Sequence, residues 1–193
     1  MQAPEERRRV LRKNNAESKR EVRNCIKTAL LRLLEHKEYE EIRMTDIIRK
    51  SGVSRMGVYN NYKNKDEILI DLCVSPLDKL VSTPNDSLRA NLEWAFQTAY
   101  QNKKAVLTLI DAGLSHVFLD LLNERYASAA ESFYFPIWNG LLYNTVIEWV
   151  KSGTDETPES AAARMLEALQ QCAKTIQTGT IRDPGSPADA AAP

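Results

Sequence analysis

A chain of 193 residues can bury a substantial core and fits one small domain joined to one of moderate size. Its 26 Lys and Arg balance 26 Asp and Glu, and that neutrality alone argues against a polyanionic partner. The distribution argues the other way: residues 1–65 carry 17 basic against 9 acidic side chains, a net of +8, and residues 66–193 carry the compensating −8. A basic module attached to an acidic one suits a protein of which only the first part meets a polyanion, the plainer alternative being a solvated helix surface. Three widely spaced cysteines, Cys25, Cys73 and Cys172, point to idle thiols in a reducing compartment. No apolar run follows the early arginines and no stretch has the length to cross a bilayer, so a cytoplasmic protein without a signal peptide or membrane span is expected.

Residues 1–17 are charged and lack apolar periodicity, which predicts a mobile arm. Its Arg7, Arg8, Arg9, Arg12 and Lys13 suit either a minor groove or phosphate track, or simply a solubilising end. A first helix is predicted over about 18–37, with Val22, Ile26, Ala29, Leu30 and Leu33 on one stripe. The most informative stretch follows, from Arg43 to Leu69: two short helical patterns flank a tight turn at Gly52. Met44, Ile47 and Ile48 share one face of the first, and Ser54 can cap the second with its hydroxyl. Glycine suits the turn because it takes a positive φ without steric cost. Val53 and Val58 pack inward in this reading, and Arg55, Met56, Gly57, Asn60 and Asn61 point outward. That is the shape of a helix-turn-helix, whose second helix presents its N-terminal half to base edges. The helix opening near Lys65 offers free amides and an ammonium to a phosphate.

Pro76 is expected to kink or end that helix, since proline lacks an amide and crowds the preceding turn. Asp86 or Ser87 can cap a helix running to about Gln101, followed by helices over about 103–111, 113–127, 131–152 and 158–175. Thr157-Pro158-Glu159 is a helix opening, and residues 178–193, ending DPGSPADAAAP, read as a disordered tail. No alternating strand pattern of useful length appears, so the fold is expected to be all-α with about nine helices. The domains fall at 18–65 for the helix-turn-helix unit and 66–177 for the helical C-terminal unit.

Several ordered residues resemble the DNA-binding domain of the TetR family of regulators: Asp46-Ile47, Ser51-Gly52, Val53-Ser54, Val58-Tyr59, Asn60-Asn61-Tyr62, Lys65 and Leu69. Upstream, Ile26, Ala29, Leu33, Leu34 and Tyr39 extend the likeness. More weakly, LIDAGLSHVFLDLL (109–122), with Gly140, Trp149, Gly153 and Pro158, resembles the TetR-family subgroup of the dihydroxyacetone-kinase operon regulator. The chain departs from the family pattern at Glu38, where a glycine is usual, and at Arg43, where a Thr or Ser cap is usual. The second helix is therefore expected to begin a residue or two later, with Thr45 as the cap, and Arg43 is free to reach a phosphate.

The resemblance implies a homodimeric transcription regulator on a palindromic double-stranded DNA operator, with repression the commoner outcome. It places the recognition helix at Ser54–Asn61, with Arg55 on guanine and Met56 beside a thymine methyl. Tyr59, Asn60, Asn61 and Lys65 become phosphate contacts, and Gly57 permits close backbone approach, while Tyr62 stands at a core aromatic position. It also implies an effector pocket among the middle helices, for which Trp94, Tyr100, His116, Tyr134 and Trp138 are candidates, with ordinary core packing as the alternative for each. The last two helices offer a dimer interface: Leu142, Val146 and Trp149 on one, Met165, Leu169 and Cys172 on the other. A rival from another class is an interaction protein whose acidic C-terminal unit docks a protein partner. Enzymatic constellations are not found: His36 and His116 lack paired metal-ligand spacing, and no phosphate loop or nucleophile elbow occurs, so no catalytic residue, metal or cofactor is assigned.

Overall fold

The computed structural model describes residues 4–82, 87–126 and 134–177, and side chains over 15–75, 87–124 and 135–177. Among the described residues there are nine α-helices and no strand, the all-helical architecture that the apolar periodicity predicts. Helix α1 spans Pro4–Leu34. It is longer than the helix expected over 18–37, because the segment expected to be a mobile arm is helical from Pro4 onward. Its Arg, Lys and Glu residues are strong helix formers, and proline is tolerated in a first turn. Ile26, Ala29, Leu30 and Leu34 form its buried stripe.

A 3₁₀ turn at Tyr39–Glu41 leads through buried Ile42 into α2 (Met44–Ser51), α3 (Arg55–Tyr59) and α4 (Lys65–Ser82). Helix α4 runs through Pro76 rather than ending there. The bundle continues with α5 (Leu88–Gln101), α6 (Lys103–Asp111), α7 (His116–Tyr126), α8 (Tyr134–Lys151) and α9 (Pro158–Gln177). Ser87 stands at the N-cap of α5 without a side-chain cap bond, and Asp86 lies outside the described residues, as do 178–193.

Two apolar clusters hold the chain together. The first joins Ile26, Leu30, Ile47, Val58 and Ile68 to Leu109 and Leu114 from the end of α6 and the turn after it. The second contains Leu92, Phe96, Val150, Ala161, Ala162 and Met165, and α9 packs along α5 over the two small alanines. Phe96 meets Trp149 edge-on at 5.1 Å between ring centroids. Phe118 touches both clusters. Ile68, Leu69, Leu72 and Cys73 of α4 belong to the same cluster as the core of the helix-turn-helix. Burial pushes the Cys73 thiol up to about 12.

Candidate nucleic-acid interface and adjoining cavity

The turn between α2 and α3 is built as the sequence demands. Gly52 has φ +69°, and a Cβ there would carry the strain of the left-handed region. The Ser54 hydroxyl accepts from the Gly57 amide at 3.0 Å, capping α3. Val58 is fully buried and Val53 packs against the same cluster, which fixes the short helix by its inner face. Arg55 and Met56 stand on the outer face, Met56 at 73% exposure. The Arg55 guanidinium lies 5.7 Å from the centroid of the Tyr59 ring, itself 43% exposed. Gly57 has a reason beyond access: a Cβ at that position would sit 2.9 Å from Val53 Cγ1 and 3.1 Å from the capping Ser54 hydroxyl. Asn60, the C-cap of α3, is exposed.

Three expectations for this surface need correction. Helix α2 begins at Met44, not later, with Arg43 as its N-cap residue. The cap that Arg43 cannot supply comes from the other side: the Asp46 carboxylate accepts from the Arg43 backbone amide at 3.2 Å. That bond, helped by Lys37 and Arg49, holds the Asp46 carboxyl below the usual carboxylate range. The Thr45 side chain is exposed rather than needed as the cap, and the Arg43 side chain is exposed as well. Asn61 is turned inward, its amide donating to the Gly57 carbonyl at 2.8 Å, so it ties down the end of α3.

Lys65 is also engaged. Its ammonium donates to the carbonyls of Tyr39 at 2.6 Å and Glu40 at 3.3 Å and lies 4.2 Å from the Tyr39 ring centroid. The Tyr39 hydroxyl in turn donates to Asp66 at 2.5 Å, and burial, then that bond, raise its pKa. At the start of α4 the chain caps itself in part: Asn64 accepts from the Glu67 amide at 2.9 Å, and Glu67 accepts from the Lys63 amide, just before the helix, at 2.7 Å. A short polar side chain near a helix start competes with an external anion for the same donor, here the Glu67 amide.

Behind α3 stands a polar hub centred on Asp71. Tyr62, 2% exposed, donates its hydroxyl to Asp71 at 2.6 Å. Arg23 pairs with the same carboxylate at 2.9 Å and lies over the Tyr62 ring, and Lys27 approaches it at 3.3 Å. Burial pushes the Asp71 carboxyl up, but Tyr62, Arg23 and Lys27 together outweigh it and leave it below the ordinary range. The signal was present: Asp71 interrupts the apolar run Ile68-Leu69-Ile70, and Arg23 and Lys27 stand four residues apart on one face of α1.

The hub adjoins a cavity of about 300 Å³, partly open to solvent, lined by α1 and α4 to α8. Leu31, Leu72, Phe118 and Val146 supply apolar wall, and Trp94 and Tyr143 supply aromatic wall. Of the four residues with described side chains that were expected to line an effector pocket, Trp94 does and Tyr100, His116 and Trp138 do not. Tyr100 is 49% exposed and tilts toward Trp149, and Trp138 packs against the second cluster. His116 is exposed, with Nδ1 3.0 Å from the Gly113 carbonyl, so it is neither a pocket donor nor a core residue. The Tyr134 side chain lies outside the described residues. Tyr143, whose hydroxyl is 3.0 Å from that of Ser115, takes the place expected of these aromatics.

The expected dimer face also divides. Leu142, Trp149 and Met165 are buried within this one chain, so they serve its own core. Val146 borders the cavity, and Leu169 packs against the second cluster. Cys172 alone of the six is exposed. Among the described residues, the large apolar side chains left uncovered on the last two helices are Ile137, Leu141 and Ile176, at 61%, 44% and 66% exposure. An apolar stripe four residues apart cannot tell which neighbour covers it, and α5 turned out to be that neighbour for most of α9.

Among the described residues, no group of three or more His, Cys, Asp and Glu stands together to hold a metal, and no single helix is long and apolar enough to cross a membrane. A short helix fixed by its inner face, behind a glycine turn and a serine cap, defines a helix-turn-helix protein of the DNA-binding class. Residues 26–72 match the family model for bacterial regulatory proteins, tetR family. The chain is 32% identical over 123 residues to the uncharacterized HTH-type transcriptional regulator YxbF of Bacillus subtilis (strain 168), a match spanning 58% of this chain and 31% of that protein. Among solved structures, a TetR regulator from Streptococcus agalactiae 2603V is similar at a TM-score of 0.51 and 21% identity, over 80% of this chain and 96% of the other. A TetR-family regulator from Syntrophomonas wolfei str. Goettingen gives 0.54 and 19% identity, over 84% and 97%. These two likenesses extend the shared fold through the C-terminal helices.

Proposed function

We propose that this protein is a sequence-specific transcriptional regulator, acting in the cytoplasm as a homodimer on a palindromic DNA site and controlled by a small molecule bound in the C-terminal unit. The observation that carries the reading is the two-sided character of α3: Val58 is fully buried while Arg55 and Met56 face outward on the basic half of the chain. Arg55 reads guanine through its two-pronged guanidinium, and Met56 lies against a thymine methyl. Thr45, Tyr59, Asn60 and the Arg43 side chain are the phosphate contacts, all of them exposed. Ser54, Gly57, Asn61 and Lys65 shape and brace the reading head. The dimer forms through the uncovered Ile137, Leu141 and Ile176 together with Cys172, which sets two copies of α3 about one DNA turn apart, roughly 34–36 Å. The 300 Å³ cavity favours a small-molecule effector over a protein partner as the controlling input. Repression is the expected sign, as the simplest outcome of occupying an operator.

The test is a mobility-shift series on the DNA upstream of the protein's own gene, with light scattering for the oligomeric state. Specific retardation by a dimer is expected, and Arg55→Ala should lose about 1–3 kcal/mol of binding, concentrated on one base pair of each half-site. A strictly monomeric protein, or one whose DNA affinity ignores Arg55, would overturn the proposal.

A further inference from the structure

We propose that the cavity takes an apolar small molecule bearing one anionic group, and that Lys27 holds that group. The proposal rests on the effector-controlled reading above and names the chemistry of its ligand. Lys27 is the one charged residue among the described residues of the cavity wall. Its ammonium donates to Ser75, another wall residue, at 3.0 Å, and approaches Asp71 at 3.3 Å. Those contacts use two of three ammonium protons and leave the third for a ligand. Asp71 is a shared counter-ion: Arg23 lies nearer, at 2.9 Å, and the Tyr62 hydroxyl donates to it at 2.6 Å. Among the described residues no other carboxylate is within ion-pair distance of Arg23 or Lys27.

Among the described residues one carboxylate thus faces two cations, an excess of one positive charge at this end of a mostly apolar cavity. Lys27 is only 17% exposed, so water screens that charge poorly, and an anion brought beside it gains more than it would at the surface. Leu31, Leu72, Phe118 and Val146 then ask the rest of the ligand to be hydrocarbon or aromatic. A volume near 300 Å³ lies at the small end of ligand sites, roughly 300–1,000 Å³, and limits its size. The same geometry gives the ligand a line to the reading head. An anion that draws Lys27 away from Asp71 changes the partners of the carboxylate that fixes Tyr62, three residues beyond the end of α3. Anion binding and DNA binding are then linked through one side chain, and each must alter the other's affinity by the same factor.

The test uses the full chain, a series of n-alkanoates of about six to twelve carbons with 2-naphthoate, and the matching alcohols, sized to the cavity. Binding is read by calorimetry and by tryptophan fluorescence, since Trp94 lines the wall, and DNA affinity is read in parallel. At least one anion is expected to bind at least about tenfold more tightly than its alcohol. Lys27→Met should abolish that preference, and Lys27→Arg, which keeps the charge and controls for folding, should retain it. The proposal is overturned if anions and alcohols bind alike, if none of the anions binds, or if Lys27→Met keeps the preference. Alcohols that release DNA as well as the anions do would remove the anion assignment and leave the effector-controlled reading intact. Anions that bind through Lys27 without altering DNA affinity would support the ligand and remove that reading instead.

Discussion

Replacing Asp71 with alanine tests the hub on which both surfaces depend. The change removes the acceptor of the Tyr62 hydroxyl at 2.6 Å and the shared counter-ion of Arg23 and Lys27. Tyr62 is 2% exposed, so loss of a charged acceptor should cost about 1.5–3 kcal/mol. The two ion pairs are partly solvated, Arg23 being 34% exposed, and each adds no more than about 0–1 kcal/mol. The sum is a loss of about 1.5–5 kcal/mol, or a fall in Tm on the order of 3–20 °C for a chain of this length. Urea unfolding followed by circular dichroism at fixed protein concentration measures it, with the slope of the transition expected to stay unchanged. The pH dependence has a definite sign. Asp71 titrates below its ordinary value of about 3.9, so its contribution is complete above that value and is lost as pH falls through the folded pKa. Wild type and variant should therefore converge in acid. A loss under about 0.5 kcal/mol, or strict additivity with Tyr62→Phe, would refute the assignment of Tyr62 and Asp71 as a coupled pair.

Lys65→Met should lower stability by about 1–3 kcal/mol, because two carbonyls lose a charged donor. It should change the salt slope of DNA binding by less than about one unit; a full unit would restore a phosphate role. Gly57→Ala should cost about 1 kcal/mol net, the clash with Val53 and the disturbed Ser54 cap exceeding the gain in helix propensity, and a raised Tm would contradict it. Cys25 should react freely with a thiol reagent in the native protein, whereas Cys73, buried and with its pKa pushed up to about 12, should react only on unfolding.

The local rules written into the chain carried most of the first unit. Gly52, Ser54 and Val58 specify a turn, a cap and an inner face within a few residues, and such signals need no distant partner to be read. The same holds for the helical character of α5 to α9, whose periodicity and breakers are local. What the chain could not declare was ownership. Trp149 and Met165 show an apolar face equally suited to a second copy or to α5, and only the packing of α9 along α5 assigns them to the interior. Lys65 and Asn61 have polar side chains suited to phosphate, yet carbonyls brought near by the 3₁₀ turn and by α3 claim them first. The cavity and the carboxylate shared by Arg23, Lys27 and Tyr62 arise from α1 and α4 lying side by side, a juxtaposition of residues far apart in the chain. Hydrogen bonds and burial satisfy whichever groups the fold brings together. Residue type therefore settles what a side chain can do, and tertiary contact settles which of those things it does.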